Sequence, residues 1–255
     1  MPRDTTNLND IQRREKSFDW AASNRDATAG SVTAHFGDVA SALETFITGS
    51  EALVGCVAWL TSPRMIAALS GRPVALVVTK EWWLRSTNRT ALSVRRRELY
   101  ATLTGGLAAE DFPAPLSGLG SRIDPVRAMG HNPRARSAAH PLMHSKFLVR
   151  LVSGRPVAVW TGSFNLSKSA ESNIENAAEI HDPAIAAAYL AEFARVEALS
   201  EPLDFAAGRI APTWVGKPLP ATAARKAPRK QRPRKKKRAA KKPVATGRTR
   251  RLTAK

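Results

Sequence analysis

His144-Ser-Lys146 sets an imidazole and an ammonium two residues apart, and two further polar segments follow: Gly162-Ser163-Phe164-Asn165, then Ser172-Asn173-Ile174-Glu175-Asn176. Together these residue types are what a metal-free site for breaking phosphodiesters needs. A neutral imidazole can attack phosphorus and carry it as a phosphohistidine, while a nearby ammonium stabilises the phosphate's charge without being consumed. On a strand, side chains two apart share a face, so His144 and Lys146 are expected to project together, with Ser145 and Phe147 turned away. Ser163 and Asn165 precede a predicted short helix, so their side chains and the free N–H groups of that helix can gather round an anion. Glu175 can accept the imidazole N–H and hold the other nitrogen ready to attack, with Glu171 and Glu179 as substitutes for that carboxylate.

Each feature also has a plain reading. A His-x-Lys arises readily in a chain with 5 His and 40 Lys+Arg, and Gly-Ser is ordinary in a turn. It is the combination that gives the segment weight. His140 and His144 stand four apart, as in a helical metal pair, but Pro141 argues against a helix there and no third ligand is evident. No metal and no cofactor are therefore expected. His35, His131 and His181 read as surface or structural residues.

The elements that must position these residues are visible in the pattern. Val39, Leu43, Phe46 and Ile47 repeat at helical spacing, and Leu53 to Leu60 is a continuous apolar run of the kind that forms a buried strand. Ser62-Pro63 predicts an N-cap with proline at the first helical position, Met65 to Leu69 the helix, Gly71 its stop, and Val74 to Val78 a second buried strand. That is a right-handed βαβ unit in a mostly parallel sheet. Trp82-Trp83 and Arg95-Arg96-Arg97 suit a helix, and Gly105 to Gly120 a loop. Phe147 to Val152, Ser153-Gly154-Arg155-Pro156 and Val157 to Trp160 predict a β-hairpin that carries the site motif. Leu166 to Glu171 then reads as a short helix and Ala177 to Ile180 as a strand. Pro183 to Leu199 reads as an amphipathic helix bearing Ile185, Tyr189, Phe193 and Val196.

Charge divides the chain. The net formal charge is +19, but residues 221–255 hold 16 Lys/Arg and no Asp or Glu, which leaves 24 basic against 21 acidic residues in the rest. Three parts are expected: a flexible arm over 1–29, one domain over 30–205, and a disordered basic tail over 206–255. The tail's Arg225, Lys226, Arg229, Lys230, Arg232, Arg234, Lys235, Lys236, Lys237, Arg238, Lys241 and Lys242 should attract DNA or RNA by counterion release without reading sequence. A solubilising or localising role is the plainer reading, and anionic membranes would attract it as well. Cys56 lies in an apolar run and reads as a small buried hydrophobe. With no oxidising context, no targeting segment and no apolar run long enough to span a membrane, the expectation is a cytoplasmic protein.

His144-x-Lys146, Gly162-Ser163-x-Asn165 and the Ser-Asn-x-Glu-Asn segment together resemble the phospholipase D superfamily. The similarity is to its branch with one motif per chain, typified by small bacterial endonucleases and mitochondrial cardiolipin-hydrolase-like proteins. Val32 to Lys80 resembles the N-terminal half of that fold, so the resemblance spans roughly residues 32 to 200. It implies an α/β/α sandwich on a mixed, mostly parallel sheet. It also implies His144 as nucleophile, Lys146, Ser163 and Asn165 as phosphate ligands, and Glu175 as the partner of the histidine. Two departures stand out. The family's motif carries an aspartate shortly after the lysine, where this chain has Leu151, and no Asp or Glu occurs from Phe147 to Thr161. Several extra residues also separate the lysine from the Gly-Ser, which a longer hairpin turn would absorb. The missing aspartate is not the attacking group, so its loss bears on rate and stability rather than on reaction type.

Only His144 among the histidines has a lysine two residues on, so the chain supplies half of a paired site. A homodimer would supply the rest, one imidazole attacking while the other, protonated, gives its proton to the leaving oxygen, the two titrating as a coupled pair. The expected function is a metal-independent phosphodiesterase, an endonuclease on DNA or RNA. The alternatives are a phospholipase acting on glycerophospholipids and a non-catalytic DNA-binding protein on the same scaffold.

Overall fold

The computed structural model describes residues 24–108, 123–130 and 142–203. Its first element lies within the expected flexible arm. Ala27–Ala29 (β1) and Val32–Phe36 (β2) form an antiparallel hairpin at one sheet edge. Small residues without apolar alternation give this pair no local signal. Its anchors are distant or polar: β2 pairs with a late strand, and the Asp26 carboxylate accepts the Phe36 N–H at 3.1 Å and meets His35 Nδ1 at 2.9 Å.

Asp38 caps helix α1 (Val39–Thr48) by accepting the Ser41 N–H at 3.0 Å, and Val39, Leu43, Phe46 and Ile47 are its buried stripe. Strand β3 (Ala52–Val57) is buried throughout. Ser62 caps α2 (Pro63–Leu69), Gly71 turns the chain at φ +79°, and β4 (Val74–Thr79) returns parallel to β3. The βαβ unit is thus as the sequence predicts. A 3-10 turn at Trp82–Leu84 and helix α3 (Ala91–Tyr100) follow, capped by Thr90. Strand β5 (Val126–Met129), which the pattern does not announce, runs parallel to β4.

Strands β6 (Lys146–Val152) and β7 (Arg155–Gly162) form the predicted hairpin. Ser153 and Gly154 have φ of 48° and 73°, the positive values of a tight two-residue turn that matches strand twist. The extra residues between lysine and Gly-Ser therefore lengthen the strands, with a register shift at Arg150/Leu151, and the turn stays short. Leu151, standing where the superfamily has an aspartate, continues the inward stripe of Phe147 and Val149 and is buried. β8 (Asn176–Ile180) pairs with β7 and β2, and β9 (Glu201–Pro202) with β5.

The sheet order is β1-β2-β8-β7-β6-β3-β4-β5-β9. It is mixed, but the expectation of mostly parallel pairing is corrected: among the described strands only the β3–β4 and β4–β5 ladders are parallel. The cause is topological. The β6–β7–β8 meander fits between β2 and β3, and each of its ladders is antiparallel. One face of the sheet packs on α1, α2 and α3 through Leu53, Val57, Leu76, Leu148 and Trp160. The other packs on α4 (Pro183–Ala198) through Val54, Cys56, Val77, Val149 and Leu151. This is the expected α/β/α sandwich. Helix α4 presents Ala186, Leu190, Phe193, Ala194 and Val196 to the sheet, whereas Ile185 is exposed and Tyr189 only partly buried against Phe147. Burial pushes the Cys56 thiol up to about 12, consistent with an inert core residue.

The helix expected over Leu166 to Glu171 does not form. The Leu166 carbonyl accepts the Thr61 and Ser62 N–H groups at 2.8 and 3.0 Å, which commits that backbone to the chain beyond β3, and only a 3-10 turn at Ala170–Ser172 remains.

Candidate active site

The motif residues converge at one end of the sheet, where β3, β4 and β7 finish and β6 and β8 begin. The segment before β6 is held on both sides. Thr79 Oγ1 donates to the Met143 carbonyl, and the Ala58 N–H donates to the Ser145 carbonyl at 2.9 Å. The second bond extends the β3–β6 register past Val57↔Lys146 and sets Trp59 opposite His144. His144 is thus not on a strand, as its spacing predicts, but on the extended approach to one.

Lys146 opens β6 and folds back. Its Nζ lies 3.3 Å from His144 Nδ1, 3.4 Å from Nε2 and 2.7 Å from the His144 carbonyl. Partial burial lowers the pKa of the ammonium from the ordinary lysine value, and the nearby Glu175 carboxylate opposes that shift. Trp59 flanks both groups. Its ring meets the His144 ring edge to face, centroids 5.0 Å apart at 80°, and Lys146 Nζ is 5.7 Å from its centroid. The indole is fixed in turn by donating Nε1–H to Glu81 at 2.8 Å. The sequence pattern places Trp59 in an apolar run, which reads as core. Only the β3–β6 register reveals that it borders the imidazole.

Ser163 and Glu175 form the facing half. Gly162 pairs with Ala177, the Ser163 N–H donates to the Asn176 carbonyl at 3.0 Å, and the Asn176 N–H donates to Ser163 Oγ at 3.1 Å. The Ser163 hydroxyl donates to Glu175, whose other oxygen accepts from Asn173 Nδ2 at 3.3 Å. Gly162 is required here: a Cβ would lie 2.3 Å from the Asn176 carbonyl oxygen and 2.6 Å from Ala177 Cα. Asn165 is half-buried, and its Oδ1 is enclosed with no partner among the described residues.

Two expectations are corrected. No hydrogen bond joins Glu175 to His144 among the described residues; the carboxylate instead accepts from Ser163, whose cross-strand partner is the adjacent Asn176. The helix expected directly after Asn165 does not form, so its N–H groups do not contribute to an anion cradle. The substitute carboxylates are engaged elsewhere: Glu171 accepts from Ser62 and from Lys168 Nζ at 2.8 Å, and Glu179 meets His181 Nε2 at 2.7 Å and Arg150 at 3.9 Å. His35 is buried and stacked on Trp160 with centroids 5.0 Å apart, a structural role, and His181 is exposed. His131, His140 and the tail residues from Arg225 to Lys242 lie outside the described residues. Among the described residues no helix is long and apolar enough to cross a membrane.

Residues 67–197 match the protein family described as cardiolipin synthase, PLD-like domain. An uncharacterized protein of Acanthamoeba polyphaga mimivirus is 26% identical over 199 residues, which cover 71% of this chain and 70% of that protein. Among solved structures, NucT from Helicobacter pylori aligns with a TM-score of 0.46 at 14% identity, over 68% of this chain and 98% of its own. Nuc from Salmonella typhimurium, a phospholipase D family member, aligns with a TM-score of 0.44 at 19% identity, over 68% and 97%.

Proposed function

This chain belongs to the PLD-like family of the phospholipase D superfamily, and from that premise we propose that it is a metal-independent phosphodiesterase working through a phosphohistidine, an endonuclease on DNA or RNA. The observation that carries the reading is the ammonium of Lys146 within 3.4 Å of both nitrogens of His144, facing the Ser163–Glu175 pair.

In this mechanism an imidazole nitrogen of His144 attacks phosphorus. An N–P bond forms, the P–O bond to the leaving alcohol breaks, and that oxygen takes a proton from a general acid. Water then attacks the phosphohistidine, the N–P bond breaks, and the water's proton passes to the same group, now a base. Lys146 balances the developing charge, and Ser163 and Asn165 contribute polar contacts as the Ser163 hydroxyl turns from Glu175 to the phosphate. Glu175 acts by holding Ser163 and by offsetting the charge of Lys146. The described residues of one chain offer one such His-x-Lys, so the general acid is His144 of a second copy, and the working unit is a homodimer. Its parts are a domain that begins with β1 and runs to about residue 205, and a basic tail that concentrates nucleic acid.

The family's description names cardiolipin synthase, which favours glycerophospholipid hydrolysis as a second reading. Incubating the protein with labelled DNA, RNA and phospholipid in EDTA decides between them. Nucleic-acid cleavage that His144→Ala abolishes supports the nuclease. Release of a lipid head group with no nucleic-acid cleavage supports the phospholipase, and no turnover of any substrate sinks both.

A further inference from the structure

Between Glu81 and Glu98 the chain carries Arg85, Arg89, Arg95, Arg96 and Arg97 and no Asp or Glu. That local excess is larger than the one of residues 1–220 as a whole, where 24 basic residues face 21 acidic ones. Arg97 ties the segment together. Its guanidinium donates to the Trp83 and Arg85 carbonyls at 2.8 and 3.1 Å and to the Asn88 carbonyl at 2.7 Å, joining the 3-10 turn, the loop and α3. Arg96 lies over the Trp83 ring at 5.4 Å, and Trp83 is buried against Tyr100. On this base Trp82 stands 54% exposed, and Arg89 and Arg95 are exposed as well. The segment starts at Glu81, whose carboxylate holds the Trp59 indole against His144.

We propose that this segment is a docking surface for single-stranded nucleic acid, Trp82 stacking on an unpaired base while Arg89 and Arg95 hold neighbouring phosphates. Only the destination of the strand, the imidazole of His144, rests on the phosphodiesterase reading. An indole face accepts any unpaired base, whereas a base inside a duplex is already stacked on both sides. The cations are all arginine, whose fork matches phosphate oxygens two at a time. A membrane surface is a poorer partner. The inner face of α3, with Ser93 and Tyr100, is buried in the fold, and its outer residues Ala91, Leu92, Arg95 and Glu98 make no continuous apolar face.

The test uses the full chain with His144→Ala, so that binding is read without turnover. Anisotropy is followed with a labelled single-stranded oligonucleotide, with the same sequence as a duplex, and with phosphatidylserine/phosphatidylcholine vesicles. The tail contributes to both nucleic-acid affinities, so their ratio is the reading. Trp82→Ala is expected to weaken single-strand binding roughly 5-fold or more with duplex binding unchanged, and Trp82→Phe to restore it. Arg89→Gln with Arg95→Gln should lower the log–log salt slope for the single strand by about 1.4. Unchanged single-strand affinity and slope in these variants would overturn the docking surface, whatever the wild type cleaves. Vesicle binding that Trp82→Ala weakens while oligonucleotide binding stays constant would overturn it in favour of a lipid surface. If the variants behave as expected but the wild type cleaves no nucleic acid, the docking surface stands and the nuclease reading falls.

Discussion

His144 has both the Trp59 indole and the Lys146 ammonium against it, the ammonium itself 5.7 Å from the indole centroid, and that geometry fixes what single substitutions should do. His144→Ala removes the bond-forming atom and should abolish hydrolysis while the melting temperature stays near wild type, since the residue is exposed. Lys146→Ala and Asn165→Ala should each cost about 2.7–4 kcal/mol of transition-state stabilisation if each resembles one lost oxyanion donor, read as a fall in kcat. Glu175→Gln should be milder than His144→Ala, because the amide still accepts from Ser163. The acidic shift of Lys146 gives a second test. The ammonium is the working form, so on a substrate whose leaving group departs without a proton kcat should fall as pH rises through its lowered pKa, earlier than an ordinary lysine would impose. Lys146→Arg should move that alkaline limb to higher pH in a pH–rate profile on bis(p-nitrophenyl) phosphate. A limb that stays in place would assign it to another group. The types and spacing of His144, Lys146, Ser163 and Glu175 are legible in the sequence. Their mutual contacts are not: Glu175 meets Ser163 rather than the imidazole, and Trp59 enters the site only through cross-strand register.

The elements at this end of the sheet are held by close backbone approach. Gly162→Ala would put a methyl group against the Asn176 carbonyl and Ala177, prying β7 from β8 where Ser163 and Glu175 face each other. We expect a loss of about 1–3 kcal/mol in urea unfolding together with a fall in kcat, and wild-type values for both would show that the ladder gives way without disturbing the site. The same ladders explain which elements a sequence can disclose. The β3–α2–β4 unit and the β6–β7 hairpin carry their own signals: an N-cap with Pro63, continuous apolar runs, and Ser153-Gly154 at positive φ. Strands β1, β2, β5 and β9 carry none. They are short, and apart from β1, which pairs only with β2, they are fixed by distant partners, as when Lys80 Nζ reaches Glu201 of β9 at 2.8 Å. The helix expected after Leu166 failed for a related reason, since propensity in a six-residue stretch loses to two hydrogen bonds from Thr61 and Ser62.

At the scale of the whole molecule, chemistry and affinity should separate. Removing residues 221–255 deletes 16 positive charges. Affinity for long DNA or RNA and the steepness of its salt dependence should both fall, while turnover of bis(p-nitrophenyl) phosphate should survive. Unchanged affinity and slope would place the nucleic-acid anchor in the domain rather than in the tail. Sedimentation should find dimers, and an active, strictly monomeric protein would contradict a shared pair of imidazoles. The most direct measurement is rapid acid-free quenching of a single turnover in EDTA, followed by peptide mapping of the phosphorylated chain. An acid-labile, base-stable phosphoryl link between the cleaved strand and the peptide carrying His144, appearing together with the leaving alcohol and before the phosphate-bearing product, and absent from His144→Ala, is the predicted result. Product forming at full rate with no phosphate on His144 would contradict it.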